Sequence, residues 1–402
     1  MKQIILSALI AVTAVTSAQA QILQIDPIYV GGDATFNVNN GSPFGISVIC
    51  YSTAGPGPFT LSNGLTLDLS TPIRLLSSIV LDANGSGQLG PLPVPSRAVP
   101  GMQVWFQAAH VDSLNPWTVT NMVPAIVGAA GALDSWGQNN YLQVTNTPPA
   151  NDFTQVAAGG YHSVALKLDG SLRSWGRDNS LQVSNTPTTN DFIHVAAGHI
   201  HSVALKSDGS LVSWGDDYRG QVSDTPTATD FIQVAAGYIH SVALKSDGTL
   251  VSWGWDWNSQ VTDTPTTNDF TQVAAGSYHS IALKSDGSLV SWGLDDFGQV
   301  SNTPGGNDFT QVAAGSYHSF ALKSDGSLVS WGIDFYGQVS NTPGGNDFTQ
   351  VAGGSNHSIA LKSDGSLVSW GDDVYGQVSN TPTTNDFIQV AAGYLHSVAI
   401  RQ

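Results

Sequence analysis

The sequence predicts an all-β protein in which a small β-sandwich is followed by a seven-bladed β-propeller. The first observation behind this is a repeat. Ser-Trp-Gly recurs in steps of 39 residues from Trp136 to Trp370, and His-Ser keeps the same step from His162 to His396. A fixed period of about 20–50 residues is typical of solenoids, propellers and arrays. The second observation is composition, since all 30 acidic residues are Asp and the chain holds 43 Gly and 19 Pro. These residues favour turns between strands over helices.

Residues 1–20 have the pattern of a secretory signal peptide. Lys2 precedes an apolar run from Ile4 to Val15, and the segment ends in the small residues around Ala20. We therefore expect the mature chain to start at Gln21 and the protein to be secreted or extracytoplasmic, in the periplasm or at the cell surface. No later stretch is long and apolar enough to span a bilayer, so membrane insertion is not expected.

The charge of the chain argues against two classes of partner. The sequence carries 13 Lys and Arg against 30 Asp, with a formal net charge of −17. Nucleic acids and anionic membranes are bound through clustered Lys and Arg, and here the basic residues are scattered. Cys50 is the only cysteine, so no intramolecular disulfide can form, and its apolar neighbours predict a small core residue.

The region from residue 21 to residue 128 lacks the repeat and alternates short β-like runs with turns. This pattern suggests a β-sandwich of immunoglobulin-like size. Its sequence contains no catalytic or metal-binding motif, and a role as a spacer or docking module rests on analogy alone. The β-like runs are Ala34–Val38, Gly45–Tyr51, Ile73–Leu81, Met102–Ala108 and Trp117–Val119.

One copy of the repeat shows how a blade is built. Phe192–Ala197, His201–Lys206 and Ser210–Trp214 are strand-like runs, and Ser207-Asp208-Gly209 is a tight turn between the last two. Gln221–Ser223 is a candidate outer strand, so each copy is expected to form a sheet of three or four antiparallel strands. The Ala, Gly and Ser residues of the first two strands allow neighbouring sheets to approach closely near an axis.

The two ends of the repeat region complement each other. The first Ser-Trp-Gly, at residues 135–137, has no His-Ser strand before it, and the last His-Ser strand, His396–Arg401, has no Ser-Trp-Gly after it. Six continuous copies and one blade built from Ala132–Val144 and Phe387–Arg401 therefore predict a closed ring of seven blades over residues 129–402. Pairing the ends removes the exposed edges that an open array would have.

The string V-A-A-G-x-x-H-S-x-A-L-K-x-D-G-x-L-x-S-W-G-x-D-x-x-G-Q resembles the repeat of the regulator of chromosome condensation family. The resemblance covers about residues 131–402 and implies a seven-bladed propeller that serves as a rigid binding surface. The short period and the signal peptide are more similar to the secreted, propeller-type β-lactamase inhibitor built on this repeat than to the family's nuclear exchange factor. Nucleotide exchange and chromatin binding are not expected, because the chain is acidic, carries a signal peptide and lacks long insertions between its copies.

Comparison of the seven copies separates a constant framework from two variable positions. The five residues after Trp-Gly differ in each copy, and only their second position is always Asp or Asn. Variable loops on a rigid scaffold usually bind partners, and aromatic residues and Arg dominate interfaces. The residues predicted to bind are Tyr141, Arg177, Tyr218, Arg219, Trp255, Trp257, Phe297, Phe335, Tyr336 and Tyr375.

The pair of residues before each His is the second variable position. It runs from Gly160-Tyr161 in the first complete copy to Tyr394-Leu395 in the last. The pair is a second candidate surface, although packing between blades would also select its Ile, Leu and Tyr residues.

The constant residues do not predict catalysis. Adjacent strand residues point to opposite faces, so His201 cannot activate Ser202, and a His repeated seven times is better explained by a bond to a neighbouring backbone group. The loop Asp residues lack the spacing of a calcium loop and are expected to form turns. His199 and His201, with His194 nearby, are not expected to bind a metal, because no third ligand is assured. No cofactor is implied.

The sequence thus predicts an exported, monomeric, non-catalytic protein that binds another protein through its variable loops. Two alternatives stay open. One is a carbohydrate-binding surface protein that uses Trp255 and Trp257 as a platform for sugars, and the other is a secreted enzyme inhibitor.

Overall fold

The structure is a computed structural model that describes residues 130–402 in full and, before them, the backbone of eleven strands between residues 22 and 128. The chain divides into two compact units, Met1–Ala129 and Ala130–Gln402. The regular elements described in both units are β-strands. No helix in these described parts is long and apolar enough to cross a membrane. The predicted signal segment and the side chain of Cys50 lie outside the described residues.

The amino-terminal unit contains short strands in three sheets. Its strands are β1 (Ile22–Ile25), β2 (Ile28–Tyr29), β3 (Asp33–Asn39), β4 (Ile46–Ser52), β5 (Pro56–Thr60), β6 (Thr66–Leu69), β7 (Arg74–Val80), β8 (Gly87–Pro93), β9 (Gln103–Val111), β10 (Thr118–Val119) and β11 (Val123–Gly128). One sheet has the order β1-β3-β8, and a second has the order β2-β11-β9-β4-β7 with β10 paired to β9. The third sheet is the pair β5-β6. The five predicted runs overlap β3, β4, β7, β9 and β10, and the sandwich arrangement stays a prediction.

The second unit is a ring of seven three-stranded antiparallel blades. The first strands of neighbouring blades contact one another around a central channel, and each third strand lies outermost. The first strands are β13 (Phe153–Ala158), β16 (Phe192–Ala197), β19 (Phe231–Ala236), β22 (Phe270–Ala275), β25 (Phe309–Ala314), β28 (Phe348–Gly353) and β31 (Phe387–Ala392). The second strands are β14 (His162–Lys167), β17 (His201–Lys206), β20 (His240–Lys245), β23 (His279–Lys284), β26 (His318–Lys323), β29 (His357–Lys362) and β32 (His396–Arg401). The third strands are β12 (Ala132–Gly137), β15 (Leu172–Gly176), β18 (Leu211–Gly215), β21 (Leu250–Gly254), β24 (Leu289–Gly293), β27 (Leu328–Gly332) and β30 (Leu367–Gly371).

The ring closes by pairing the two ends of the repeat region, as the sequence predicts. β12 is antiparallel to β32, with Ala132 opposite Arg401 and Gly137 opposite His396. β32 also pairs with β31, so the seventh blade has the strand order β12-β32-β31. The blade that joins the ends therefore has the same three strands as the six continuous blades.

The turn between the second and third strands forms as expected. In the blade of β16, β17 and β18, Gly209 has a φ of 81°, a left-handed conformation that favours Gly. The Asp208 carboxylate accepts hydrogen bonds from the Ser210 N–H at 2.9 Å and from the Ser210 hydroxyl at 2.6 Å. These bonds fix the turn locally and thereby set the register of the hairpin.

Of the three or four strands expected in each blade, three form, and the candidate outer strand does not. Gln221–Ser223 lies in a hydrogen-bonded turn, because the Asp217 carboxylate accepts the N–H groups of Val222 at 2.9 Å and Ser223 at 2.8 Å. A strand would have directed these donors into a ladder. The Thr225 hydroxyl then bonds to Ser213 on the third strand at 2.6 Å, so side chains take the place of a fourth strand.

The hydrophobic core lies between neighbouring blades. In one cluster, Val203 and Leu205 of one blade pack with Phe231, Val234 and Trp253 of the next, and all five are buried. Full burial of such a side chain contributes about 1.5–3 kcal/mol. The indole N–H of each repeated Trp also donates to the main-chain carbonyl of a Gln in the preceding blade, at 3.0–3.1 Å in all seven. Each Trp therefore stabilises the contact between two blades by packing and by a hydrogen bond.

A second kind of bond between blades is missing at one interface. At six interfaces a first-strand Gln accepts the N–H of a Val in the next blade, as Gln155 accepts that of Val195 at 2.9 Å. His194 stands at the Gln position of its blade, and among the described residues no side chain provides this bond for Val234. Nδ1 of His194 is inaccessible and has no partner in this part of the chain. This interface therefore lacks one hydrogen bond that the other six have.

We expect His194→Gln to raise the free energy of unfolding by about 1 kcal/mol, because one intramolecular hydrogen bond contributes about that much. Urea unfolding of the full chain measures the effect. The matched control is Gln155→His, which should lower the free energy of unfolding by a similar amount. Equal stability of both variants and the parent chain would show that this bond contributes nothing.

Candidate binding face

One end of the propeller carries both variable positions. Each second strand begins where the first ends, and the third strand runs antiparallel to the second, so the pair before each His and the loop after each Trp-Gly meet at the same end. We call this end the loop face. Ring contacts join the two positions: the centroids of Tyr141 and Tyr161 are 5.1 Å apart, and those of Trp255 and Tyr278 are 5.5 Å apart.

The loop backbone has the same conformation in every copy. The second loop residue, Asn139 in the first copy and Asp in the others, accepts the N–H groups of the fifth and sixth residues after it. Bonds from Ser223 and Val222 hold the pKa of Asp217 below its ordinary value. The prediction that these Asp residues form turns is confirmed. Within the described residues, no group of three or more His, Cys, Asp or Glu could hold a metal ion.

Three predicted binding residues are the most exposed aromatic side chains of the described region. Tyr218, Trp257 and Phe335 stand at the third loop position and are 79%, 80% and 76% exposed. Arg219 is also exposed, and its guanidinium lies 4.7 Å from the ring centroid of Tyr218. Tyr141, Phe297, Tyr336 and Tyr375 are exposed to a smaller degree. Eight of the ten predicted residues therefore lie on the outer surface of the loop face.

Trp255 and Arg177 stand at the first loop position and are partly buried. Trp255 packs edge-on against Tyr278, whereas the guanidinium of Arg177 lies 5.0 Å from the ring centroid of Tyr141 and 5.6 Å from that of Tyr161. Trp255 and Trp257 thus do not share one environment. Trp257 is open to a partner, and Trp255 supports the rings beside it.

The second variable position forms a continuous row of rings around the channel mouth. We call this row the aromatic arc. Its successive centroids lie 4.2–5.8 Å apart, and the closest pair, His199 and Tyr238, is stacked. The blade with Ser355-Asn356 contributes no ring, which leaves one gap. In order around the mouth, the arc consists of Tyr394, Tyr161, His199, Tyr238, Tyr278 and Tyr317.

Burial favours the uncharged form of several rings of the aromatic arc. Burial, and then the neighbouring tyrosines, raise the pKa of Tyr161, Tyr238 and Tyr278 above the ordinary value. Burial, followed by the nearby charge of Arg177, lowers the pKa of His199 to about 4. A ligand at the channel mouth therefore meets neutral rings.

The charges on the loop face are mostly acidic and are not paired with Lys or Arg. None of the seven salt bridges of the described region involves a loop-face residue. Arg177 and Arg219 are the cations of the five-residue loops. The carboxylates of these loops belong to Asp178, Asp216, Asp217, Asp256, Asp295, Asp296, Asp334, Asp372 and Asp373.

Six stretches of the chain match the regulator of chromosome condensation (RCC1) repeat, at residues 153–182, 192–221, 231–260, 270–299, 309–338 and 348–377. Each match begins at the Phe that starts the first strand and ends at the buried Gln that directly follows the five-residue loop in the sequence. Six of the seven blades are RCC1 repeats. The blade that joins the two ends of the propeller lies outside these six matches.

Several solved structures share the fold. Yeast RCC1 (Prp20), in a structure with Kap60, is 21% identical with a TM-score of 0.55, and the alignment covers 68% of this chain and 89% of that one. Human WBSCR16 is 17% identical with a TM-score of 0.56, over 68% and 99% of the two chains. The ectodomain of the Arabidopsis thaliana receptor kinase ACR4 is 22% identical with a TM-score of 0.51, over 62% and 94%. A comparison with curated proteins gave no match. Similarity to the β-lactamase inhibitor type stays a prediction.

The repeated His and Ser of the RCC1 repeats bond to each other across blades. His201 does not contact Ser202, as expected, but Nε2 of His162 lies 2.8 Å from the hydroxyl of Ser202 in the next blade. The expected partner, a backbone group, is therefore wrong. One copy of the repeat does not reveal the true partner, because the Ser lies 40 residues further along the sequence. Seven such bonds of 2.8–3.1 Å close into a ring, and all fourteen side chains are inaccessible.

Three exposed apolar loop residues were not among the predicted binding residues. Val374 stands at the third loop position and is 72% exposed, as the aromatic residues there are. Leu142 and Leu181 stand at the fifth position and are about half exposed, with φ of 62°. Four other copies have Gly at the fifth position, so Leu in place of Gly was the available signal.

Proposed function

We propose that the RCC1-repeat propeller is a non-catalytic protein-binding module and that the loop face binds the partner. The observation that carries the proposal is the exposure of Tyr218, Trp257 and Phe335, each more than three-quarters accessible. Their backbone is fixed by the Asp turn, so binding orders little besides the side chains themselves. Rigid aromatic side chains on a fixed scaffold are typical anchors of protein interfaces.

The strained leucines support the same proposal. A left-handed backbone costs a residue other than Gly roughly 1–2 kcal/mol. Leu142 and Leu181 adopt it and still leave about half of each side chain in solvent. Gly at these positions would remove both the strain and the exposed apolar surface. Their presence is therefore better explained by contact with a partner than by the stability of the fold.

The constant residues favour binding over catalysis. Every repeated His is buried, bonded to a Ser and inaccessible to a substrate. Burial, above all, lowers the pKa of His201 to about 3, far below the range useful to a general base near neutral pH. Solved relatives support a protein partner, since yeast Prp20 has been described with Kap60 and with binding properties to Gsp1p and histones.

The proposed place of action is outside the cytoplasm, because residues 1–20 have the pattern of a signal peptide. An enzyme partner would make the protein an inhibitor, which is a special case of the same function.

We expect the triple variant Tyr218→Asn, Trp257→Asn and Phe335→Asn to lose at least tenfold in partner capture without loss of stability. Asn stands at the same loop position in two other copies, as Asn140 and Asn179, so the loop accommodates it. The full chain would be immobilised and exposed to the extracellular protein fraction of the source organism. Bound proteins would be quantified by mass spectrometry, and melting temperatures would be compared.

The matched control is Ile232→Thr. Ile232 is an exposed apolar residue away from the loop face, and Thr271, Thr310 and Thr349 stand at the equivalent position in other blades. The control should bind as the parent chain does. Equal capture by the triple variant would exclude the loop face as the interface, and retention on immobilised glycans in place of proteins would favour a carbohydrate-binding function.

A further inference from the structure

A cavity of about 130 Å³ lies at the loop-face end of the central channel. It is lined by the last residues of all seven first strands and by the residues that follow them. Its two sides differ. His199, Tyr238 and Tyr394 of the aromatic arc line one side, and Ser277, Ser316 and Ser355 line the other.

The serine side presents hydroxyl groups that have no protein partner. Ser277, Ser316 and Ser355 are 9%, 6% and 4% exposed, so each is more than nine-tenths buried. No side-chain hydrogen bond to these three hydroxyls occurs in the described region. Their oxygens remain accessible at the cavity, so they can hydrogen-bond to water or to a ligand there. The three serines therefore form a built polar surface that faces the cavity.

The main-chain carbonyls of the glycines that line the cavity differ in their partners. Those of Gly159, Gly198, Gly237 and Gly354 accept N–H groups of neighbouring blades at 3.0–3.1 Å. Those of Gly276, Gly315 and Gly393 have no N–H donor in the described part of the chain. Two of these three residues directly precede Ser277 and Ser316 in the chain.

The cavity is thus lined by serine hydroxyls on one side and by His199, Tyr238 and Tyr394 on the other. Aromatic faces and oxygen lone pairs both attract cations. The nearest cation, Arg177, packs against Tyr141 and Tyr161 and does not line the cavity. The unpaired carboxylates of the loop face extend this negative potential toward the partner.

From this arrangement we propose that the cavity receives the ammonium group of a lysine side chain from the bound protein. The three donors of an ammonium match the three serine hydroxyls, and its aliphatic stem suits the aromatic wall. A guanidinium presents five donors in a rigid planar fork, whereas an ammonium is compact and has one donor for each of the three hydroxyls. The inference rests on the proposed function of the loop face as a protein interface, and it adds that the partner presents a lysine to the channel mouth.

The test uses Nα-acetyl-lysine N-methylamide as a probe of the full chain. NMR titration should give saturable shifts of the Gly276 and Gly315 amide signals, and the norleucine analogue, which has the same stem without the charge, should bind at least tenfold more weakly. Equal binding of the norleucine analogue would overturn the proposal, because the cavity would then select apolar stems. Tighter binding of the arginine analogue would overturn the choice of lysine.

Two variants distinguish an effect on probe binding from an effect on the stability of the fold. The triple variant Ser277→Ala, Ser316→Ala and Ser355→Ala should melt as the parent chain does and bind the lysine probe at least fivefold more weakly. Ser316→Tyr places at this position the residue that two other blades carry as Tyr238 and Tyr394, and it should block the probe by filling the cavity. Unchanged probe binding by both variants would overturn the proposal.

The lysine inference and the proposed function fail in different ways. The variant with Asn at residues 218, 257 and 335 should still bind the lysine probe, because these side chains do not line the cavity. Normal partner capture by a chain that does not bind the probe would overturn the lysine inference alone. Normal probe binding with capture unaffected by the loop changes would overturn the proposed function alone.

Discussion

A chain that lacks Asp386–Gln402 is expected to lose its cooperative unfolding transition. The deletion removes β31 and β32, so β12 has no partner strand and the ring is open. It also removes two hydrogen bonds of the His–Ser ring, one between His396 and Ser163 and one between His357 and Ser397. The loss involves a whole blade and should exceed the roughly 5–15 kcal/mol of stability that is usual for a domain. Differential scanning calorimetry of the full and truncated chains would measure the effect.

A synthetic peptide of residues 386–402 provides the control for this experiment. Added to the truncated chain, it should restore a sharp transition, because it supplies the strands that complete the seventh blade. A truncated chain that melts as sharply as the full chain, and at the same temperature, would show that the ring does not depend on pairing of its ends.

The second large effect on the stability of the fold is expected when the pH is lowered. Burial lowers the pKa of the seven repeated histidines to about 3 or about 4 in the folded protein. In the unfolded chain an imidazole has a pKa of about 6.5, so the unfolded state binds more protons between these values. The stabilisation is complete above about pH 6.5 and is lost as the pH falls toward the folded-state pKa values. Seven groups together lower the free energy of unfolding by roughly 10 kcal/mol at pH 5.5, so we expect the propeller to unfold near pH 5.

The pH range distinguishes histidines from carboxylates. The pKa of Asp217, and of the other turn-forming Asp residues, is lowered, so their contribution is lost only at lower pH, as these carboxylates become protonated. Urea unfolding at several pH values between 7 and 5 therefore reports on the histidines. A free energy of unfolding that stays constant over this range would contradict their burial in the neutral form.

Much of the fold follows from the period of the sequence, because a repeated unit must bury the same residues in each copy. Ring closure was predictable from the two ends of the repeat region. Trp136 has no His-Ser strand before it, and the strand of His396 has no Ser-Trp-Gly strand after it. The His–Ser bond was not predictable from one copy, since His162 and Ser202 belong to different blades and meet only when the blades stack. The candidate fourth strand does not form, because the Asp217 carboxylate accepts the backbone N–H groups that a strand would donate to its neighbour.

The candidate site was predicted in part. The variable loops identified Tyr218, Trp257 and Phe335, because variation within a constant frame is visible in the sequence. The continuity of the aromatic arc was not visible, since His199 and Tyr238 stand one residue earlier in their blades than Tyr278 and Tyr317 do. Only the curvature of the ring brings these two positions into one row. The difference between Trp255 and Trp257 likewise depends on which loop position faces inward.

The uniform loop backbone allows the binding specificity of this protein to evolve without changes in its fold. Each loop is held by the same Asp or Asn bonds and by a left-handed fifth residue, whatever its other side chains are. The third and fourth side chains can therefore be exchanged between blades, or replaced, without altering the strands beneath them. Such a surface can acquire a new specificity one loop at a time while the fold stays intact. The changes can arise by substitution or by recombination between near-identical copies.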